Sequence, residues 1–259
     1  MKKNIPLLID FDGVIKLGNE IAPDTKNFFT FIEKESVPAC ILSNSTLRTS
    51  ELMKNFLLER GLKLEIPAFT AFDVTLEYVK KHYSKVKVYC RDYLLHHFEG
   101  MIDEHKPEAV VIGDIGDRWN YETMNEIFNY VMNGAELIAM HKNKFWQPEG
   151  NLILDAGAFI TAIEFATGKQ AIVIGKPSSH YFKTALEELG FSGNNNFIMI
   201  GDDLENDILA AQKIGATGIL ILTGKTKLED IKDSKPDFVV NSLSEVIPVL
   251  SEIISNNSS

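Results

Sequence analysis

Four groups of chemically useful side chains stand at the ends of short apolar runs. Asp10-Phe11-Asp12-Gly13-Val14 follows Leu7-Leu8-Ile9, and Ser43-Asn44-Ser45-Thr46 follows Ala39 to Leu42. Gly175-Lys176-Pro177-Ser178 follows Ile172 to Ile174, and Gly201-Asp202-Asp203, with Asp207 beyond it, follows Phe197 to Ile200. Carboxylates gathered in one place repel one another unless a cation sits between them. Mg²⁺ takes oxygen ligands and keeps several waters, so Asp10, Asp202 and one backbone carbonyl suffice to hold it. Asp12 lies two residues beyond Asp10 and points to the same side if the strand continues, where it can give a proton to a leaving oxygen. The two acids then divide the roles of nucleophile and general acid or base. A phosphoryl group in transfer spreads negative charge over its equatorial oxygens. Lys176 and the cation supply the opposing charge, while Ser43 and Asn44, where a strand turns into a helix starting near Leu47, offer a hydroxyl and backbone amides. Asp207, in the first turn of the next helix, is placed to orient water on the metal, although the helix dipole alone also favours an acid there. Asp203 reads first as the N-cap of the helix beginning near Leu204, and Ser45 and Thr46 as caps of the helix near Leu47.

The elements that must hold these groups follow from the same runs. Together with Ile219 to Leu222 they are continuously apolar, the pattern of strands buried on both faces. Amphipathic stretches separate them, at Ala22 to Ile32, Leu47 to Leu58, Tyr181 to Leu189 and Leu204 to Ile214. This βαβ rhythm predicts an α/β fold with a doubly wound parallel-sheet (Rossmann-like) core, in which ligands meet the carboxyl ends of the strands. Residues 72–170 read as a smaller α/β cap domain inserted between core segments 1–71 and 171–259. Its expected strands contain Val86, Val88, Val110 to Ile112 and Leu137 to Met140. Met124, Ile127, Phe128 and Val131 mark one face of a helix starting near Tyr121.

Composition removes other classes. The 259 residues are 45% apolar and 24% charged, the make-up of a soluble protein with a substantial core. A net charge of −10 and a pI near 5.1 argue against nucleic acid and anionic membrane as partners. Cys40 and Cys90 form no CxxC pair, which speaks against a disulfide or zinc framework. Lys2 and Lys3 precede an apolar stretch broken by Pro6 and stopped by Asp10, so neither a secretion signal nor a membrane span is read, and a cytoplasmic location is expected.

At these residues the sequence resembles the haloacid dehalogenase-like hydrolase superfamily, whose four motifs match Asp10 to Val14, Ser43-Asn44, Lys176 and Gly201-Asp202-Asp203 with Asp207, in the expected order. The place and character of the insert, with Gly134 to Ala139, Thr161 to Glu164 and Gly175-Lys176-Pro177, resemble the NagD-like subfamily with the larger α/β cap. Within it the pattern is most similar to the branch containing phospholysine/phosphohistidine inorganic pyrophosphate phosphatase. The resemblance implies a Mg²⁺-dependent phosphatase in which Asp10 forms an aspartyl-phosphate and Asp12 is acid and base. Asp10, the Asp12 carbonyl and Asp202 would hold Mg²⁺; Ser43, Asn44 and Lys176 would bind the phosphate of a small substrate. An acid at position 12 suits hydrolysis, whereas ATPases of the superfamily carry Thr there. Met140 to Lys144 falls where the family places a substrate-facing loop, which makes His141 a candidate contact; the alternative is a solvated polar loop. Asp155 reads as an N-cap. A homodimer through the cap is compatible with this reading. Two rival functions use the same fold, a phospho-aspartate signalling module and a non-catalytic binding protein. Asp12 and the insert argue against the first, and the intact acidic motifs against the second.

Overall fold

The computed structural model describes residues 5–146, 152–193 and 195–256; Lys2, Lys3 and the last residues of the Ser/Asn tail lie outside them. Ten strands build two parallel sheets: β1 (Leu7–Asp10), β2 (Ala39–Ser43), β3 (Ala68–Thr70), β4 (Val86–Tyr89), β5 (Ala109–Ile112), β6 (Glu136–Ala139), β7 (Ile172–Val173), β8 (Ile198–Gly201), β9 (Thr217–Ile221) and β10 (Phe238–Val240). Among the described residues, seven helices of ten residues or more accompany them: α1 (Thr25–Lys34), α2 (Ser50–Glu59), α3 (Ala71–His82), α4 (Tyr121–Met132), α5 (Ala156–Thr167), α6 (Ser179–Glu188) and α7 (Leu243–Asn256). Among the described residues no helix is long and apolar enough to cross a membrane.

The chain divides into two compact units, one of Met1–Ser43, Glu51–Phe69 and Ser179–Ser259, the other of Asn44–Ser50 and Thr70–Ser178. In the first, the sheet order is β10-β9-β8-β1-β2-β3. β1 pairs in parallel with β2 on one side and β8 on the other, in the register Ile9 to Ile41 and Ile9 to Ile200. All four residues of β1 are buried, as both-face burial of a central strand requires. The direction of winding reverses between β1 and β8, which is the switch point where open α/β sheets bind ligands. Phe28, Phe29 and Ile32 of α1 and Val246 and Leu250 of α7 pack into the core beneath this sheet.

The second unit is a four-stranded parallel sheet in the order β7-β6-β5-β4. Ile127 and Val131 of α4 and Ile160 and Ile163 of α5 share one core with Val110, Ile112 and Leu137 of the sheet. α4 starts at the expected residue because the Asn120 side chain accepts the Thr123 N–H at 2.9 Å. Two expectations need correction. The run Ile172 to Ile174 is no strand of the first sheet; Ile172 and Val173 pair with Ile138 and Ala139 of β6. It is a two-residue edge strand with Ile172 exposed, and an apolar run that short does not say which sheet it joins. The helix placed near Leu47 begins instead at Ser50, whose N–H is accepted by Asp73 Oδ2 at 2.7 Å, so the cap comes from a distant residue.

Candidate active site

In the first unit, β1 and β8 end side by side on Asp10 and Gly201-Asp202. Asp10, Asp202 and Asp207 are all buried, and each offers a carboxylate oxygen within 4.8 Å of the others. Burial pushes the Asp202 carboxyl up to about 7, and the charge of Asp207 adds to the rise, against the N–H of Lys225 at 2.6 Å. Three acids in so small a buried space fit a hard divalent cation, which takes carboxylate oxygens and would cancel their repulsion. The surrounding glycines fit the same purpose. A Cβ at Gly13 or Gly224 would overlap the Asp202 carboxylate, and one at Gly201 would overlap that of Asp207. Asp10 and Asp202 were expected as ligands and Asp207 as the group that orients metal-bound water; all three carboxylates come within the same 4.8 Å.

Asp207 reaches the cluster through a π-helical turn, Leu204–Leu209. Wide turns of this kind are frequent at functional sites. Its Oδ2 accepts the Asp203 N–H at 3.2 Å. Asp203 is absent from the carboxylate cluster and caps the turn, accepting from Glu205 N at 3.1 Å and Asn206 N at 3.0 Å. Burial alone would raise its carboxyl, but Lys225 Nζ at 2.6 Å and the amides of Asn206 hold it below the usual range.

β1 stops at Asp10, so Asp12 does not follow strand alternation; the tight turn through Gly13, with φ of +91°, sets its direction. Asp12 Oδ1 meets Lys16 Nζ at 3.0 Å, and its Oδ2 accepts from Ser43 Oγ at 3.1 Å. Ser43 is fully buried at the end of β2, where its carbonyl accepts from Tyr181 Oη at 2.7 Å. Thr223 Oγ1 donates to the Gly13 carbonyl at 2.5 Å and pins the turn from 210 residues away. Lys16, Tyr181, Thr223 and Lys225 escaped the sequence reading. They carry no motif of their own, and only tertiary proximity reveals them.

In the second unit, Asn44 lies against Lys176. The Asn44 carboxamide donates from Nδ2 to the Lys176 carbonyl at 2.9 Å and accepts the Lys176 N–H at 2.8 Å. Ser45 Oγ accepts from Leu47 N at 3.2 Å, whereas Thr46 is no helix cap: its Oγ1 accepts the Asp114 N–H at 2.9 Å. His141 is 4% exposed, so the solvated-loop alternative is set aside. Its Nδ1 accepts from Asn143 N at 3.2 Å, and its Nε2 is 3.7 Å from Asp155 Oδ1. Asp155 caps α5 as expected, and Lys142 pairs with the buried Glu164.

Comparison with known proteins agrees with this geometry. Residues 7–101 match the haloacid dehalogenase-like hydrolase family, and residues 173–246 match a second family described as HAD-hydrolase-like. Haloacid dehalogenase-like hydrolase domain-containing protein 2 of Rattus norvegicus is 32% identical over 235 residues, 89% of this chain and 88% of its own. The chain belongs to the haloacid dehalogenase-like hydrolases. Phospholysine phosphohistidine inorganic pyrophosphate phosphatase of Danio rerio is 31% identical over 80% of this chain and 78% of its own. NagD of Escherichia coli K-12 superposes with a TM-score of 0.80 at 26% identity, over 93% of this chain and 97% of its own. The relatives thus include the phosphatase whose branch the motifs resemble and a NagD structure.

Proposed function

We propose that this haloacid dehalogenase-like hydrolase is a Mg²⁺-dependent phosphatase acting on a small phosphorylated substrate through an aspartyl-phosphate on Asp10. The observation that carries the reading is the meeting of three buried carboxylates, Asp10, Asp202 and Asp207, at the switch point of the parallel sheet. Bound there, Mg²⁺ would neutralise the acids and draw charge from the phosphoryl oxygens. An Asp10 oxygen attacks phosphorus as the bond to the leaving oxygen breaks, and Asp12 gives that oxygen its proton. Asp12 then takes a proton from water, whose oxygen attacks phosphorus and releases inorganic phosphate and the Asp10 carboxylate. Lys16 and Ser43, one on each oxygen of Asp12, hold it in one orientation for both proton transfers. Lys176 supplies positive charge to the phosphoryl group, with the Ser43 hydroxyl and the Asn44 backbone N–H at its oxygens, and His141 contacts the rest of the substrate.

The relative that is 31% identical is named for phospholysine, phosphohistidine and inorganic pyrophosphate, and these head the substrate panel. Cys40 and Cys90 are both free and buried, which supports a reducing, cytoplasmic location. The deciding measurement is Mg²⁺-dependent release of p-nitrophenol from p-nitrophenyl phosphate. Asp10→Asn should abolish turnover while circular dichroism stays native; substantial residual activity in that variant removes Asp10 as nucleophile.

A further inference from the structure

The Asn44 side chain faces the backbone of Lys176 and can be oriented in one way only. The Lys176 N–H can only donate and the Lys176 carbonyl can only accept, so the carboxamide must present Oδ1 to the first and Nδ2 to the second. It does so at 2.8 and 2.9 Å, closing a two-bond clasp of the kind that pairs strands. The clasp requires Gly at position 175, because a Cβ there would stand 2.7 Å from Asn44 Oδ1 and 2.6 Å from the Met140 carbonyl. Nδ2 also donates to Asn143 Oδ1 at 3.3 Å. Asn143 in turn donates its N–H to His141 Nδ1 at 3.2 Å, and Asp155 faces the other ring nitrogen. All of these residues belong to the second unit. A continuous chain of polar contacts therefore runs from the backbone of Lys176, through Asn44, to the loop that carries His141.

We propose that Asn44 is a positioning residue, whose carboxamide sets the backbone of Lys176 and registers it against the His141 loop. The proposal rests on the phosphatase reading, in which Lys176 meets the phosphoryl group. It replaces direct side-chain contact between Asn44 and phosphate by action through Lys176. Only a planar group with one donor and one acceptor performs this task. Ser lacks the span, and Asp would set an oxygen against the Lys176 carbonyl.

The test is calorimetric titration of the full chain with inorganic phosphate in the presence of Mg²⁺. Asn44→Ala should weaken phosphate about tenfold, the order expected for losing paired hydrogen bonds that hold a charged ligand group. Asn44→Asp, which keeps the side-chain volume, should weaken it at least as much. In a Lys176→Met background the same changes should cost less than about twofold, because a residue that acts through Lys176 has nothing left to position. Equal losses in both backgrounds, or unchanged phosphate affinity in a folded Asn44→Asp protein, would overturn the positioning role while wild-type turnover of p-nitrophenyl phosphate leaves the phosphatase reading intact. A wild-type protein with neither phosphate binding nor turnover brings both down.

Discussion

A lone carboxylate gives up its proton readily in water, but Asp202 must do so while buried and beside Asp207. Its carboxyl is raised from 3.8 to about 7, so between those values the native state holds a proton that the unfolded chain has lost. Stability of the EDTA-treated protein should therefore fall as pH rises from about 4 to about 7, and adding Mg²⁺ should remove the decline. Melting curves across that range check it; a flat profile without metal would contradict the strain assigned to the cluster. Asp12 allows a second test. p-Nitrophenolate leaves without needing a proton, whereas an alkoxide does not, so Asp12→Ala should slow the phosphorylation step far more for an alkyl phosphate, by about a hundredfold or more, than for p-nitrophenyl phosphate. Equal slowing in single-turnover kinetics would deny Asp12 the acid role. Among these residues Asp10, Asp12, Ser43 and Asp202 were legible because each stands at the end of an apolar run. Lys16 and Thr223 were not: their partners are set by a turn and by a contact across 210 positions, neither of which leaves a pattern in one sequence.

At the scale of elements, the fully buried strands β1, β2 and β8, and β9, buried but for Thr217, were readable from continuous apolarity. β7 misled because two apolar residues at a sheet edge look the same whichever sheet they extend. The start of α2 was set by Asp73, beyond the reach of local capping rules. The turn Leu204–Leu209 was expected as helix, and its π form has no signature in the residue pattern. Asp203→Ala should test how much that turn matters. Losing the cap should cost about 1 kcal/mol of stability, and it should also raise the Mg²⁺ concentration needed for half-maximal activity, since Asp207 loses its framing. A stability loss with an unchanged Mg²⁺ requirement would mean that the turn holds its shape by other contacts.

For the whole molecule, the ladder of strands divides into two parallel sheets, and each unit has its own core. In the second unit, Trp146, Ile153 and Leu154 of a small antiparallel strand pair are 49%, 46% and 64% exposed, and Phe165 of α5 is 91% exposed. We propose a second copy of this chain as the partner that covers them, in line with the homodimer expected from the sequence. Leu154→Lys should then halve the mass seen by sedimentation, while an unchanged mass, or a monomeric wild type, removes that face as the contact. The two cysteines lead elsewhere. Both thiols are buried, and burial drives each well above its ordinary range, Cys90 to about 12 and Cys40 further. A thiol held protonated out of reach is a poor target for peroxide or alkylating agents. If the attacking atom is the Asp10 carboxylate oxygen, as proposed, turnover should survive the oxidants that switch off enzymes built on a cysteine nucleophile.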